Sequence, residues 1–142
     1  MLLLDTNALL WVLQDNHRLS PEVRGMIARA WDVDSVAVSV VTFWEVAILA
    51  EKHKIALGCE ASRWRLDRIG EGLRELPLLG PEAVHAVELG QRGFHKDPAD
   101  RFIVATAQIG GHTLLTTDQK ILDWPGDVRR VDVRRSPPED SE

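Results

Sequence analysis

The chain predicts an α/β fold, a three-layer α/β/α sandwich in which helices cover both faces of a central parallel sheet. Short apolar or β-branched runs alternate with longer stretches of helical character along the sequence. No two predicted strands are separated by a turn as short as that of a hairpin, and parallel strands need the longer crossovers found here.

Five short segments have the character of β-strands. The runs at 2–4 and 36–38 are continuously apolar or β-branched, so they predict buried strands. The runs at 73–76 and 113–116 are equally short, and the second has polar ends. The run at 128–133 mixes valine with acids and arginines, which is typical of a sheet edge. In chain order the predicted strands are Leu2–Leu4, Val36–Val38, Leu73–Leu76, Thr113–Thr116 and Val128–Val133.

Helices fill the intervals, and their ends carry recognisable signals. Ser20 and Asp97 are capping residues that each precede a proline at the first helical position. Glycines mark predicted stops at Gly58, Gly90 and Gly110-Gly111. In chain order the predicted helices run from Ala8 to Leu13, Ser20 to Trp31, Val41 to His53, Ala61 to Ile69, Pro81 to Leu89, Asp97 to Gly110 and Gln119 to Trp124.

The composition describes one globular domain. With 142 residues, of which 44% are hydrophobic and 27% charged, the chain can bury one substantial core, and we expect the domain to span residues 1–135. Residues 136–142 contain two prolines and three acids and predict a disordered tail. A single cysteine agrees with a reducing compartment, and no apolar run reaches the about 20 residues that cross a bilayer. We therefore expect a cytoplasmic protein that does not bind membranes.

A net charge of −5 argues against tight binding of nucleic acid by overall electrostatics, but not against a nuclease whose acids bind metal. Local positive charge is available in two groups of arginines, which are either guides for a substrate or ordinary solvated side chains. The groups are Arg63, Arg65 and Arg68, and Arg129, Arg130, Arg134 and Arg135.

Four carboxylates stand at positions that folding alone disfavours, at the junction of an apolar run and a helix or inside an apolar helix face. Asp5 and Asp118 directly follow predicted strands, and ligands of parallel sheets bind outside the carboxyl ends of the strands. Asp100 lies in the first turn of a helix whose start tends to face the same edge, and Glu45 lies among apolar residues. We expect these acids to converge on a metal site, and oxygen ligands favour Mg²⁺ or Mn²⁺.

Each acid also has a purely structural interpretation. Asp5 and Asp118 are suitable caps for the helices that follow them, and Asp97, before Pro98, is better explained as a cap. For Asp100 the structural interpretation is a favourable interaction of its charge with the helix dipole, which stabilises the helix by a few tenths of a kcal/mol.

Glu45 is the hardest of the acids to explain structurally. Thr42 and Glu45 match the spacing of a capping box, but that interpretation fails if the helix starts at Ser39. The neighbours of Glu45 are apolar, and no lysine or arginine is near in sequence, so a lone buried carboxylate would cost several kcal/mol. The histidines show no paired metal-binding spacing, and neither a nucleophile elbow nor a phosphate loop is present.

With these residues in view, the chain resembles the PIN-domain ribonucleases, and its size and spacing resemble the VapC-type toxins of toxin–antitoxin pairs. Four segments in the family's order, spanning nearly the whole chain, carry the resemblance. They are Leu3 to Leu10, Ser39 to Ile48, His95 to Ala105 and Leu115 to Asp118.

The resemblance implies a PIN-like parallel sandwich and a Mg²⁺-dependent endoribonuclease, with Mn²⁺ as a possible substitute, whose products carry a 5′-phosphate and a 3′-hydroxyl. Its catalytic and metal-binding residues would be Asp5, Glu45, Asp100 and Asp118. Supporting positions would be Thr6, Asn7, Asp97, Arg101 and Thr117, with Arg101 either structural or facing a phosphate. The implied partners are RNA as substrate, a second copy in a homodimer, and a cognate antitoxin through which alone the protein would meet DNA.

Two other classes of function remain compatible with the sequence. A phosphatase or phosphotransferase would use Asp5 as its nucleophile, although such enzymes typically carry a second aspartate where this chain has Asn7. A non-catalytic binding module would use its acids only as helix caps.

Overall fold

A five-stranded, fully parallel sheet forms the centre of the molecule in a computed structural model that describes residues 1–137. Each strand is only three or four residues long, which is why the sequence shows such short apolar runs. The strands are β1 (Leu2–Leu4), β2 (Val36–Ser39), β3 (Arg74–Leu76), β4 (Thr113–Thr116) and β5 (Arg130–Asp132). The predicted parallel sheet is confirmed, and β5 lies at an edge as expected.

Seven helices cover the sheet within the described residues. The predicted caps are present: the Ser20 hydroxyl accepts from the Val23 N–H, and the Asp97 carboxylate accepts from the Ala99 N–H. The helices are α1 (Thr6–Leu13), α2 (Pro21–Asp32), α3 (Val40–Glu51), α4 (Ala61–Gly70), α5 (Gly80–Gln91), α6 (Pro98–Gly110) and α7 (Gln119–Asp123). None of these helices combines the length and the apolar character that crossing a bilayer requires.

Successive strand residues enter two different hydrophobic cores, one on each face of the sheet. Leu4 and Leu115 pack into the core covered by α1 to α4, whereas Leu3 and Leu114 pack into the core covered by α5 to α7. All four leucines are fully buried. The alternation confirms the three-layer α/β/α sandwich and explains why these runs are apolar at every position.

The strand order, β3-β2-β1-β4-β5, indicates where on the sheet a ligand is expected to bind. The chain builds β1, β2 and β3 outward in one direction, then returns to add β4 and β5 on the other side of β1. The order therefore reverses between β1 and β4, and ligands bind at such switch points outside the carboxyl ends of the strands. Asp5 and Asp118 follow these two strands.

Two predicted helix ends, those of α5 and α3, differ from the structure. Helix α5 continues through Gly90 to Gln91, and the glycine there is explained by the guanidinium of Arg101, which occupies the space that a Cβ would need. Helix α3 ends at Glu51, and His53 adopts a left-handed conformation with φ of 57°. The tail predicted over 136–142 lies mostly outside the described residues; Ser136 and Pro137 have no regular secondary structure.

Candidate active site

Asp5 is held rigidly at the end of β1. Its Oδ1 accepts a hydrogen bond of 2.8 Å from the Ala8 N–H and caps α1, and its Oδ2 accepts from the Thr116 hydroxyl. The residue is only 5% exposed. Burial raises the pKa of Asp5 to about 6; the two hydrogen bonds lower it in part, and the charges of Asp118 and Glu45 raise it again. Asp5 therefore caps α1, as its structural interpretation predicts. The cap uses only one carboxylate oxygen, and the negative charges of two other acids also act on this carboxylate.

Thr116, the last residue of β4, links the two acids at the switch point. Its fully buried hydroxyl donates to Asp5 and accepts a hydrogen bond of 2.9 Å from the Asp118 N–H. The Asp118 carboxylate caps α7 by accepting from the Lys120 N–H at 2.9 Å. One threonine thus fixes the relative positions of the residues that follow β1 and β4.

Glu45 approaches the same edge from α3. Ser39 is the N-cap of this helix, with its hydroxyl accepting from the Val41 N–H, so the capping box between Thr42 and Glu45 is wrong. Instead, the Thr6 hydroxyl donates to Glu45 Oε1 at 2.5 Å. Burial raises the pKa of Glu45, the hydrogen bond from Thr6 lowers it, and the charge of Asp97 raises it.

Asp100 lies in the first turn of α6, where Asp97 caps the helix. Burial raises the pKa of Asp100 to about 7; a hydrogen bond from His95 opposes this effect, and the charges of Asp97 and Asp118 add to it. The preference for a capping role at Asp97 agrees with the geometry, and the same residue also contributes negative charge to the cluster.

The donor set fits a hard divalent cation. Ligand atoms of His95, Asp100 and Asp118 all lie within 4.8 Å of one another, so the two carboxylates are close enough to share one ion with His95 beside them. Burial raises the pKa of Asp5, Glu45 and Asp100, and the hydrogen bonds to these acids offset only part of that effect, so their ionised forms favour a compensating positive charge. A bound cation would supply that compensation, and carboxylate oxygens are the ligands that Mg²⁺ and Mn²⁺ prefer.

His95 is the member of the cluster that the sequence analysis did not select. Its Nε2 lies 2.6 Å from Asp100 Oδ2. No paired spacing marks this histidine, because it sits in a loop and meets its partner through the turn at the Asp97 cap. The sequence does contain one signal for it: His95 lies five positions before Asp100, an acid in the first turn of a helix with a predicted cap.

The predicted supporting residues play unequal roles. Thr6 touches Glu45, whereas within residues 1–137 the side chains of Asn7 and Thr117 make no hydrogen bond. The Arg101 guanidinium donates to the backbone carbonyls of His95 and Phe94, at 2.7 and 3.1 Å, which favours the structural alternative for this arginine.

The two arginine groups do not form a large basic surface. In the first group, Arg63, Arg65 and Arg68 pair with Asp67, Glu75 and Glu71 respectively. In the second group, Arg134 and Arg135 both approach Asp132, and Arg130 donates to backbone carbonyls. These arginines therefore act mainly in local structure.

Comparison with known proteins agrees with this geometry. A family model described as the PIN domain matches residues 2–125 of the chain. The chain belongs to the PIN-domain family. This PIN domain is 34% identical over 119 residues to Ribonuclease VapC22 of Mycobacterium tuberculosis, a match that covers 84% of the chain and 88% of that protein. The resemblance to VapC-type PIN domains, and with it membership of a nuclease family, is confirmed.

Solved structures share the fold of this PIN domain. A DNA-bound VapBC complex from Salmonella typhimurium contains a chain with a TM-score of 0.66 and 22% identity, covering 92% of this chain and 96% of that one. A toxin–antitoxin complex from Klebsiella pneumoniae gives a TM-score of 0.65 and 23% identity, with coverage of 93% and 97%. At these identities the likeness shows the fold.

Replacing Thr116 by valine is expected to lower the free energy of unfolding by about 1–3 kcal/mol at a pH above 6, because Asp5 loses a buried hydrogen bond. Metal affinity should fall as well, since Asp5 and Asp118 lose the hydroxyl that fixes their relative positions. Urea unfolding and calorimetric titration with Mn²⁺ measure these effects. Thr106→Val is the matched control, because its buried hydroxyl donates only to the Phe102 carbonyl of its own helix. Equal losses in the two variants would contradict the linking role.

Proposed function

We propose that this PIN domain is a Mg²⁺-dependent endoribonuclease that hydrolyses RNA phosphodiesters and acts as the toxin of a toxin–antitoxin pair. The observation that carries the proposal is an acidic cluster: ligand atoms of Asp100 and Asp118 lie within 4.8 Å of each other, and the charges of Asp118 and Glu45 both act on Asp5. We assign these four residues the catalytic and metal-binding role, with Thr6, Asn7, Asp97, Arg101 and Thr117 in support.

The side chains provide a preorganised negative pocket. Asp5 cannot rotate away, because hydrogen bonds hold both of its oxygens, and Thr6 similarly orients Glu45. Mg²⁺ held by these carboxylates would supply positive charge to neutralise a phosphodiester, activate water and stabilise the departing oxygen. The protein's part is to fix the geometry of the donors in a partly buried edge, so that little reorganisation is needed during attack. In-line attack by water would leave a 5′-phosphate and a 3′-hydroxyl.

RNA is the proposed substrate because the relative from Mycobacterium tuberculosis is named a ribonuclease. An unpaired or looped strand fits best, since a small site at a sheet edge offers no element that reads a duplex. A phosphatase using Asp5 as nucleophile is less well supported. That carboxylate is almost fully buried, and hydrogen bonds occupy both of its oxygens.

The proposal predicts cleavage of labelled single-stranded RNA by the purified protein with Mg²⁺ or Mn²⁺. Chelator should abolish cleavage, and readdition of Mg²⁺ should restore it. A matched DNA strand should remain largely intact. In a bacterium, induced expression should arrest growth, and the Asp5→Asn variant should not. Cleavage that persists in chelator would contradict the metal-dependent mechanism.

An antitoxin is the proposed regulatory partner. Of the two solved structures described above, one is a toxin–antitoxin complex and the other is a VapBC complex bound to DNA. A partner that blocks the pocket must bring positive charge, because carboxylates line it. With a net charge of −5 and most of its clustered arginines paired, this chain is poorly suited to bind DNA itself. Contact with DNA is therefore assigned to the antitoxin.

A homodimer is the proposed assembly, formed through an apolar strip beside the site. Trp44 on α3 and Val87 on α5 are 60% and 63% exposed. Pro98 and Phe102 lie between them and line a shallow cavity on either side, of about 230 and 120 Å³. Isolated exposed side chains are normal, but a continuous apolar strip marks an interface.

We expect sedimentation equilibrium to show a dimer for the wild-type protein and a monomer for Trp44→Glu, because the charge would be buried at the interface. Leu66→Glu is the control. Leu66 is 58% exposed on α4 and does not line the strip, so this variant should remain dimeric. A wild-type monomer, or a dimeric Trp44→Glu variant, would refute the assignment.

The remaining proposals concern boundaries and location. We propose that residues 1–135 form the catalytic unit and that it works in the cytoplasm, where its RNA substrate and a reducing environment for its one cysteine are found.

A further inference from the structure

His95 stands beside the acidic cluster in a fixed orientation. Its ring stacks on that of Phe94, with centroids 4.3 Å apart and an interplanar angle of 26°. Its Nε2 lies 2.6 Å from Asp100 Oδ2, and its side chain is only 19% exposed. The stack determines the plane of the imidazole, and the hydrogen bond determines which edge faces the acid.

The loop that carries His95 is fastened to the helix that carries Asp100. Arg101, the next residue of α6, donates from Nε to the His95 carbonyl and from Nη2 to the Phe94 carbonyl. Gly90 leaves room for this clamp, since a Cβ there would stand 2.6 Å from the guanidinium. One helical turn thus holds both the carboxylate and the histidine that contacts it.

The surroundings of the ring indicate how its proton is placed. An ionised carboxylate only accepts hydrogen bonds, so Nε2 is the donor toward Asp100 whenever this acid is ionised, as it must be to bind a cation. Nδ1 is buried and has no partner within residues 1–137. An imidazole with its hydrogen on Nε2 leaves only a lone pair at the buried Nδ1, which agrees with the lack of a partner there.

We propose that His95 is a positioning residue for catalysis: its Nε2–H holds Asp100 in the orientation that presents the carboxylate, together with Asp118, to the divalent cation. This inference rests on the proposed function and adds to it a residue outside the acidic quartet. Hydrogen-bonded supports of this kind commonly contribute 10–100-fold to metal affinity or activity. Arg101 and Gly90 contribute indirectly, because they hold the loop that carries His95.

Two substitutions separate positioning from packing. His95→Phe keeps a ring to stack on Phe94 but removes the donor, and His95→Gln places an amide N–H close to the former Nε2. In Mn²⁺ titration calorimetry we expect His95→Phe to bind about 10–100-fold more weakly and His95→Gln to stay close to wild type. The kcat for RNA cleavage should follow the same order, while KM for RNA changes little.

His85→Phe is the matched control. His85 is a half-buried histidine with 20% side-chain exposure, and its partners are Gln108 and Glu88, neither of which belongs to the proposed metal site. This variant should bind Mn²⁺ like the wild type. Equal affinity in wild type and His95→Phe would overturn the inference while leaving the proposed function standing. A wild-type protein that binds no divalent cation would overturn both. Loss of affinity in both His95 variants would also overturn the inference, since it would make the ring a direct ligand.

The tautomer gives a test that needs no metal and no activity. In the metal-free protein at a pH well above 7, where the Asp100 carboxyl is ionised, ¹⁵N NMR should show His95 Nε2 as the protonated, pyrrole-type nitrogen and Nδ1 as the unprotonated one. The opposite tautomer would leave no donor toward Asp100 and would refute the positioning role.

Discussion

Asp5→Asn should lower RNA cleavage by at least about 10²–10³-fold, the loss typical when one preorganised electrostatic group is removed from an active site. Asparagine caps helices as well as aspartate does, so α1 should keep its start. It cannot supply the negative charge that attracts the cation. Steady-state cleavage of labelled RNA at saturating Mg²⁺ measures the effect.

The same substitution should stabilise the metal-free protein at neutral pH, which is the opposite of the usual result for a buried residue. Raising the pKa of Asp5 from 3.8 to about 6 corresponds to roughly 3 kcal/mol of destabilisation when the group is ionised. The amide avoids that cost but weakens the hydrogen bond from Thr116, so we expect a net gain of about 1–2 kcal/mol. Urea unfolding in the presence of chelator measures it.

Asp132→Asn is the matched control for both effects. Hydrogen bonds from Arg134 lower the pKa of Asp132 despite its partial burial, so its negative charge is stabilising. This variant should cleave RNA normally and lose a little stability. Wild-type cleavage by Asp5→Asn, or a loss of stability as large as that of a core mutation, would show that Asp5 serves only the fold.

The second large effect is the pH dependence of stability in the metal-free protein. A carboxyl group whose pKa is raised by folding binds protons more tightly in the native state, so its stabilising contribution is complete below the unfolded pKa and is lost as the pH rises through the folded pKa. For Asp5 that window runs from 3.8 to about 6, and for Asp100 from 3.8 to about 7. The free energy of unfolding should therefore fall between these limits, by about 3 kcal/mol from Asp5 alone.

Mg²⁺ should reverse this dependence, because the cation replaces the protons that the acids otherwise retain. We expect unfolding curves collected across this window to converge at acidic pH, with and without Mg²⁺, and to separate as the pH rises toward neutrality and above. Stability that is constant or increases with pH in chelator would mean that the acids do not share a buried site.

The sequence predicts the parts of this molecule that depend on local chemistry. The leucines of β1, the Ser20 cap and the Asp97-Pro98 helix start are read correctly because each needs only its neighbours. The candidate acids follow from topology, since parallel strands place the residues after them on one edge. The assignment of these acids to metal and catalysis stays a prediction.

Other features depend on tertiary contacts that no local pattern encodes. Gly90 resembles a helix stop, but Arg101 packs against it and the helix continues. Thr116 looks like an ordinary polar strand end, although it joins Asp5 to Asp118, residues that are distant in sequence.

The central claim, that separate parts of the chain build one cation site, is tested most directly by crystals soaked in Mn²⁺ and measured near the manganese absorption edge. We predict an anomalous peak at the carboxyl edge of β1 and β4, within bonding distance of carboxylate oxygens from at least Asp5 and Asp100 or Asp118. No peak there at a Mn²⁺ concentration that supports cleavage, or a peak only at other acids, would contradict it.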